Sequence, residues 1–154
     1  MAGQVALARV GQVAAADAVA ELQVEALAGD DDGSAYSFTL AGSSPLVIGW
    51  QSVIEAVVRD VLSGISTRRI AARFHRGVAR MIAAVCRRLQ PDVERPLVGL
   101  TGGVFQNALL LELTLAELQA AGCEVLIHHL VPANDGGLSL GQAALARLFV
   151  GRDF

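Results

Sequence analysis

Two glycine pairs, Gly102-Gly103 in TGGVFQN and Gly136-Gly137 in PANDGG, each stand between an apolar run and a helical pattern. A helix start offers unpaired backbone N–H groups and the positive end of the dipole, and glycine adds no Cβ to hold a ligand away. The chemistry suggested is contact with a phosphate or nucleotide. One such pair is most simply a tight connection. Two in succession, at the same end of neighbouring strands, mark the edge where open α/β sheets gather ligands. Neither GxxxxGK[ST] nor GxGxxG occurs, so the phosphate loop and the dinucleotide fingerprint do not apply.

Other reactive side chains are few. Asp135, just before the second pair, has the chemistry to cap a helix or to ligate a metal beside phosphates, and spacing alone favours the cap. His128 and His129 are adjacent on an expected strand, hence on opposite faces, so one ion is not easily shared between them. One is expected to face a partner and the other solvent. His75 lies beside the apolar stripe of its helix and reads as a packed or surface histidine. Cys86 and Cys123 have no CxxC or histidine at ligand spacing, and read as a buried, reduced pair in a cytosolic protein. Thr101 and Ser139 flank the glycine turns without a His or Asp at any motif spacing that would activate them. They read as cap or turn residues, and no nucleophile is evident.

The elements that must position these residues follow from periodicity. Residues 12–28 are Ala-rich with apolar residues in steps of three and four, an amphipathic helix, and the polar DDDGS ends it. Tyr36, Phe38 and Leu40 alternate with small polar residues as a strand does, and LVIGW after AGSSP completes a loose hairpin. A helix begins at Gln51 and stops near Gly64. A second, capped by Ser66 or Thr67, carries the stripe Ile70, Phe74, Val78, Met81, Ile82, Val85 and Leu89. Its basic residues, Arg73, Arg76, Arg80, Arg87 and Arg88, read as a solvated face rather than a nucleic-acid surface. Beyond them the order is strand 97–100, Gly-Gly, helix from Val104 or Phe105 to Ala121, strand 124–130, loop 132–137 and helix 138–150. That is an α/β pattern with crossovers and parallel strands.

The 154 residues fit one domain or one lobe of a larger one. A net charge of −3 gives no reason to expect nucleic-acid or membrane-surface binding. The most apolar span, 14–28, is broken by Asp17, Glu21 and Glu25, short of the roughly 20 apolar residues that cross a bilayer. The N-terminus has no positive region leading into an apolar core, so no secretory signal is expected and a cytoplasmic location is.

Gly102-Gly103-Val104-Phe105-Gln106-Asn107, followed by Pro132, Asn134-Asp135-Gly136-Gly137 and Leu140-Gly141-Gln142-Ala143, resembles the C-terminal end of the hydrogenase-maturation carbamoyltransferase family, HypF. Ile70 to His75 is similar to that family's preceding helix and AYSFTL to its preceding strand. The resemblance is good from about residue 35 to 149 and looser before. It implies an N-terminal helix and linker over 1–34 and, over 35–154, the second lobe of a HypF-like domain. That domain is similar to the tRNA threonylcarbamoyladenosine synthase subunit and, more distantly, to the actin-like fold of sugar kinases, heat-shock ATPases and actin. In such folds two lobes close on a nucleotide.

The resemblance also implies roles. Gly102, Gly103, Val104 and Asn107 become nucleotide-site residues, and Asp135 matches a carboxylate that completes a metal site. The ligand is ATP or carbamoyl-adenylate, with a divalent metal held mostly by ligands outside this chain. The carbamoyl group passes to a cysteine of a HypE-like acceptor protein in nickel–iron hydrogenase maturation. The first lobe, with its His-x-x-x-His, has no counterpart here, so the chain alone is not expected to catalyse and needs the remainder of HypF as partner. Two alternatives stand beside this reading. One is a non-catalytic nucleotide-binding or protein-interaction module of the same fold; the other is part of an unrelated actin-like kinase. An exposed apolar surface where the first lobe should sit favours the carbamoyltransferase reading, and the abundance of Leu, Ile and Val suggests a homo-oligomer.

Overall fold

The computed structural model describes residues 32–90 and 92–150, so the helix expected over 12–28 lies outside the described residues. Helix α1 (Gln51–Leu62) stops ahead of Gly64, whose φ of 71° reverses the chain where a Cβ would be strained. Helix α2 (Thr67–Leu89) starts at Ser66, the true cap: its Oγ accepts from the Arg69 amide at 3.4 Å. Strands β1 (Thr39–Ala41) and β2 (Val47–Gly49) form the expected antiparallel hairpin. Tyr36, expected in that strand, instead lies buried on α2, where its amide donates to the Arg73 carbonyl at 3.2 Å.

The final third is a strand–helix–strand crossover. Strands β3 (Leu97–Gly99) and β4 (Glu124–Leu126) pair in parallel, with Leu97 opposite Glu124 and Gly99 opposite Leu126. Between them α3 (Ala108–Ala120) begins later than the pattern suggested, because Gly103–Gln106 forms a separate 3-10 turn and Asn107 breaks from it with extended ψ. A 3-10 turn over Asp135–Gly137 leads into α4 (Leu138–Val150).

Packing corrects the reading of α2. Its buried residues are Ala71, Ala72, His75, Gly77, Ala79 and Ala83, while Phe74 and Leu89 of the expected stripe are exposed. Small side chains let α2 lie close against α3, and the larger residues are left on the flanks. Ala83 joins Leu100, Leu118 and Cys123 in the main core, with Val98, Val125 and Ile127 packed on it from the sheet.

The basic face of α2 is not merely solvated. Arg73 pairs with Asp32 and Asp60, both at 2.7 Å, and its Nε donates to Ser34 Oγ at 2.6 Å. Arg76 reaches the Ser34 carbonyl, Arg80 the Gly33 carbonyl and Glu117, Arg87 the Ala121 carbonyl and Arg88 the Gly42 carbonyl. The arginines therefore fasten the chain around residues 32–42 and the end of α3 onto α2.

Alternation along the parallel pair turns Val98, Leu100, Val125 and Ile127 toward the core and leaves Leu97 and Leu126 each 55% exposed on the other face. Parallel sheets are ordinarily covered on both faces. Helix α4 is similarly bare, with Leu138, Leu140, Leu145, Leu148 and Phe149 all exposed. Among the described residues no helix is long and apolar enough to cross a membrane.

Candidate functional site

Because β3 and β4 are parallel neighbours, the turns that follow them emerge at one edge. The Gly102 amide donates to the Ala133 carbonyl at 2.6 Å, joining the two loops directly. Beside them lies a cleft of about 190 Å³, lined by Leu100, Phe105, Gln106, His128 and Pro132 among others. Sites for drug-sized ligands occupy about 300–1,000 Å³, so this edge makes one wall rather than a closed pocket.

The two glycine pairs do different work. Gly102 has φ 106° and ψ 155°, a conformation almost confined to glycine. A Cβ on Gly102 would meet nothing within 4 Å, and one on Gly103 only Asn134 Cβ and Gln106 Oε1, both at 3.9 Å. The first two amides of the 3-10 turn, on Gly103 and Val104, have no partner within it. By contrast, a Cβ on Gly136 would lie 3.0 Å from Asn134 Oδ1 and from Pro132 Cγ, and one on Gly137 would lie 3.1 Å from the Pro132 carbonyl oxygen. The second pair is filled by its own loop, and the first is open to a ligand.

Asn107, expected at the site, is committed within the protein. Its Oδ1 accepts from the Leu110 amide at 2.9 Å, capping α3, and its Nδ2 lies 2.9 Å from His75 Nε2. His75 is 6% exposed, and its Nδ1 lies 2.9 Å from the Ala71 carbonyl oxygen. It is therefore a packed histidine.

At the second turn the cap comes from Asn134, whose Oδ1 accepts from the Gly136 amide at 3.0 Å, rather than from Asp135 as spacing favoured. Asn134 has the extended backbone of a cap, and Asp135 already lies inside the turn. The exposed Asp135 carboxylate is left for other chemistry. Among the described residues no three His, Cys, Asp or Glu side chains gather as a metal site. A lone carboxylate does not hold a divalent ion, and among the described residues Asp135 has no partner ligand at this edge.

His128 and Thr101 meet across the sheet, each two residues beyond the paired Leu126 and Gly99. Thr101 Oγ1 donates to the Ala133 carbonyl at 3.4 Å, and His128 Nε2 lies 3.1 Å from Oγ1. With the hydroxyl proton so placed, the imidazole is the donor. Motif spacing missed this pair because the residues are brought together by register, though alternation on two parallel strands was a signal that could have found it. Ser139 is exposed on α4. Cys86 and Cys123 are free thiols in the main core, and burial, then the neighbouring Cys123, raises the Cys86 thiol above its usual range.

Fold and edge together define an α/β unit whose two strand-to-helix turns meet at the carboxyl ends of parallel strands. Comparison with known proteins gives the family. Residues 3–142 match the family model described as the second subdomain of the carbamoyltransferase Kae1-like domain, and the chain belongs to that carbamoyltransferase family. It is 44% identical over 78 residues to the carbamoyltransferase HypF of Rhodobacter capsulatus, covering 51% of this chain and 10% of that protein. Against HypF of Synechocystis sp. the identity is 34% over 108 residues, covering 70% of this chain and 13% of the relative. The chain thus spans only a small part of its curated relatives. Among solved structures it is similar to full-length HypF in a phosphate- and nucleotide-bound form, with TM-score 0.75 and 28% identity over 86% of this chain and 17% of that one. HypF from T. kodakarensis, at 23% identity over 84% of this chain and 16% of that one, shares the fold with TM-score 0.68.

Proposed function

We propose that this chain supplies the second-lobe wall of a nucleotide site in a HypF-type carbamoyltransferase. The observation that carries the reading is the open Gly102–Gly103 turn, where the Gly102 conformation excludes side chains and the free side faces no protein atom closely. Gly103 and Val104 present backbone amides there, suited to phosphate oxygens or to the edge of a nucleotide. The nucleotide-bound state of a structural relative supports the same ligand class.

In this reading the chain binds and orients ATP or carbamoyl-adenylate, and catalysis draws on fixed amide dipoles that stabilise charge on the phosphate and carbamoyl oxygens. Asp135 contributes one carboxylate to a divalent metal whose other ligands come from outside these residues. The carbamoyl group goes to a cysteine of a HypE-like acceptor in hydrogenase maturation, in the cytoplasm. The bare faces of β3–β4 and α4 favour this over a self-sufficient binding module, because a lobe that pairs with another in an actin-like arrangement leaves such surfaces for it. Until covered, they also promote homo-oligomers.

Calorimetric titration of the chain with ATP and Mg²⁺, beside Gly103→Glu, tests the site. The space around Gly103 accommodates the new side chain without unfolding, so binding by the wild type and loss in the variant is the expected result. Equal binding by both proteins would refute the placement. No binding by either would refute a site that works without the first lobe.

A further inference from the structure

The most tightly specified polar group near the glycine turn is not at the cleft but behind it. His75, 6% exposed in the middle of α2, is buried one turn along from Ala71 and Ala72, on which Leu109 packs. A carbonyl oxygen only accepts, so the 2.9 Å contact to Ala71 places the ring proton on Nδ1. In the neutral ring Nε2 is then an acceptor, and it takes an N–H from Asn107 Nδ2 at 2.9 Å. That contact decides which end of the Asn107 amide faces α2, leaving Oδ1 for the Leu110 amide at 2.9 Å. Turning the amide over would set oxygen against the Nε2 lone pair and N–H against N–H, losing both bonds. Leu110 N–H, Asn107 N–H and His75 N–H thus donate in one continuous direction, ending on α2. Such aligned chains strengthen each member.

From these contacts we propose that His75 is a positioning residue for the ligand turn, acting through Asn107. The inference rests on the reading of Gly102–Val104 as the ligand-contacting backbone. Asn107 is the hinge between the Gly103–Gln106 turn and α3, and its amide donates to the Val104 carbonyl at 3.3 Å. Fixing its side chain from α2 fixes the direction in which the turn presents its free amides. Asn107 then serves the site through its orientation, with one bond from each end of its side chain held by protein. Packing alone needs only bulk at residue 75, whereas orientation needs a directional acceptor, which imidazole supplies.

The test is amide NMR of the ¹⁵N-labelled chain, alone and titrated with AMP. His75→Leu keeps the bulk and removes the acceptor. Asn107→Ser keeps a good cap and removes the amide nitrogen that reaches His75, so it stays informative if the first variant folds poorly. Leu118→Ala, in the core at the far end of α3, serves as a control for general destabilisation. The expected result is that the Gly102, Gly103 and Val104 amide resonances move in both linkage variants and stay in place in the control. AMP binding should weaken by roughly tenfold in the linkage variants, the worth of about one oriented hydrogen bond. Unmoved turn resonances in His75→Leu and Asn107→Ser would overturn the proposal, as would an equal movement in the control. If AMP perturbs no wild-type amide while the linkage variants still move the turn, the ligand reading fails and the positioning geometry stands.

Discussion

Gly77→Ala sets two physical effects against each other. Gly77 is in the interior of α2, where replacing glycine by alanine ordinarily stabilises by about 1 kcal/mol through helix propensity. Here a Cβ would lie 2.5 Å from the Tyr36 carbonyl oxygen, 3.2 Å from its nitrogen and 3.3 Å from its carbonyl carbon. These are backbone atoms, and they cannot swing aside as a side-chain tip would. The Tyr36 segment is also anchored on both sides, by its amide on the Arg73 carbonyl and by its hydroxyl on Asp60 at 2.7 Å. Forcing a methyl group into such packing costs about 1–3 kcal/mol. Set against the propensity gain, the steric cost leaves an expected net loss of up to about 2 kcal/mol rather than a gain. Gly141, inside α4, is the matched control: a Cβ there meets nothing within 4 Å, so Gly141→Ala should gain about 0.5–1 kcal/mol. Urea unfolding followed by far-ultraviolet circular dichroism reads both. If Gly77→Ala is as stabilising as Gly141→Ala, the close packing of the Tyr36 segment on α2 is wrong.

Two further outcomes follow from the same geometry. The Tyr36 hydroxyl and then Arg73 hold the Asp60 carboxyl below its usual range, while Ser34 and then Arg73 do so for Asp32; burial and then Asp60 push the Tyr36 phenol up to about 12. The carboxylates contribute stability that is present above the ordinary carboxyl value of 3.8 and lost as pH falls through their lowered values, whereas the Tyr36 contribution is intact below 10.0 and lost as pH rises toward about 12. Urea midpoints measured across pH should fall at both ends, and Tyr36→Phe should remove the Tyr36 part of the alkaline fall. At the first glycine turn, Gly102→Ala should cost about 1–3 kcal/mol because φ there is 106°, while Gly103→Ala should leave stability nearly unchanged; equal losses in thermal unfolding would contradict the geometry.

Much of this fold was legible in the order of residues because its determinants are local. Apolar periodicity marked α1 and α2, Ser66 marked a start and Gly64 a stop, and the alternation of apolar runs with Gly-Gly turns announced the parallel crossover. The glycine motifs carried the family as well. Boundaries failed where one residue had two uses: Asn107 is spaced as a helix interior but caps α3, and Asp135 is spaced as a cap but stands beside Asn134, which does the capping.

Tertiary structure decided which faces are used and which distant side chains meet. Periodicity cannot tell whether a helix buries its large or its small residues, and α2 buries its alanines because α3 approaches closely there. Nor does it show that Arg73 bridges Asp32 and Asp60, or that Thr101 meets His128 and Asn107 meets His75. These contacts join residues 13 to 41 positions apart, and only the packing of helices and the register of strands sets such distances. The residue order by itself determined that two glycine turns follow neighbouring parallel strands. Folding decided that the first glycine turn stays open while the second is filled by its own loop, because whether a missing Cβ leaves room depends on what the rest of the chain brings there.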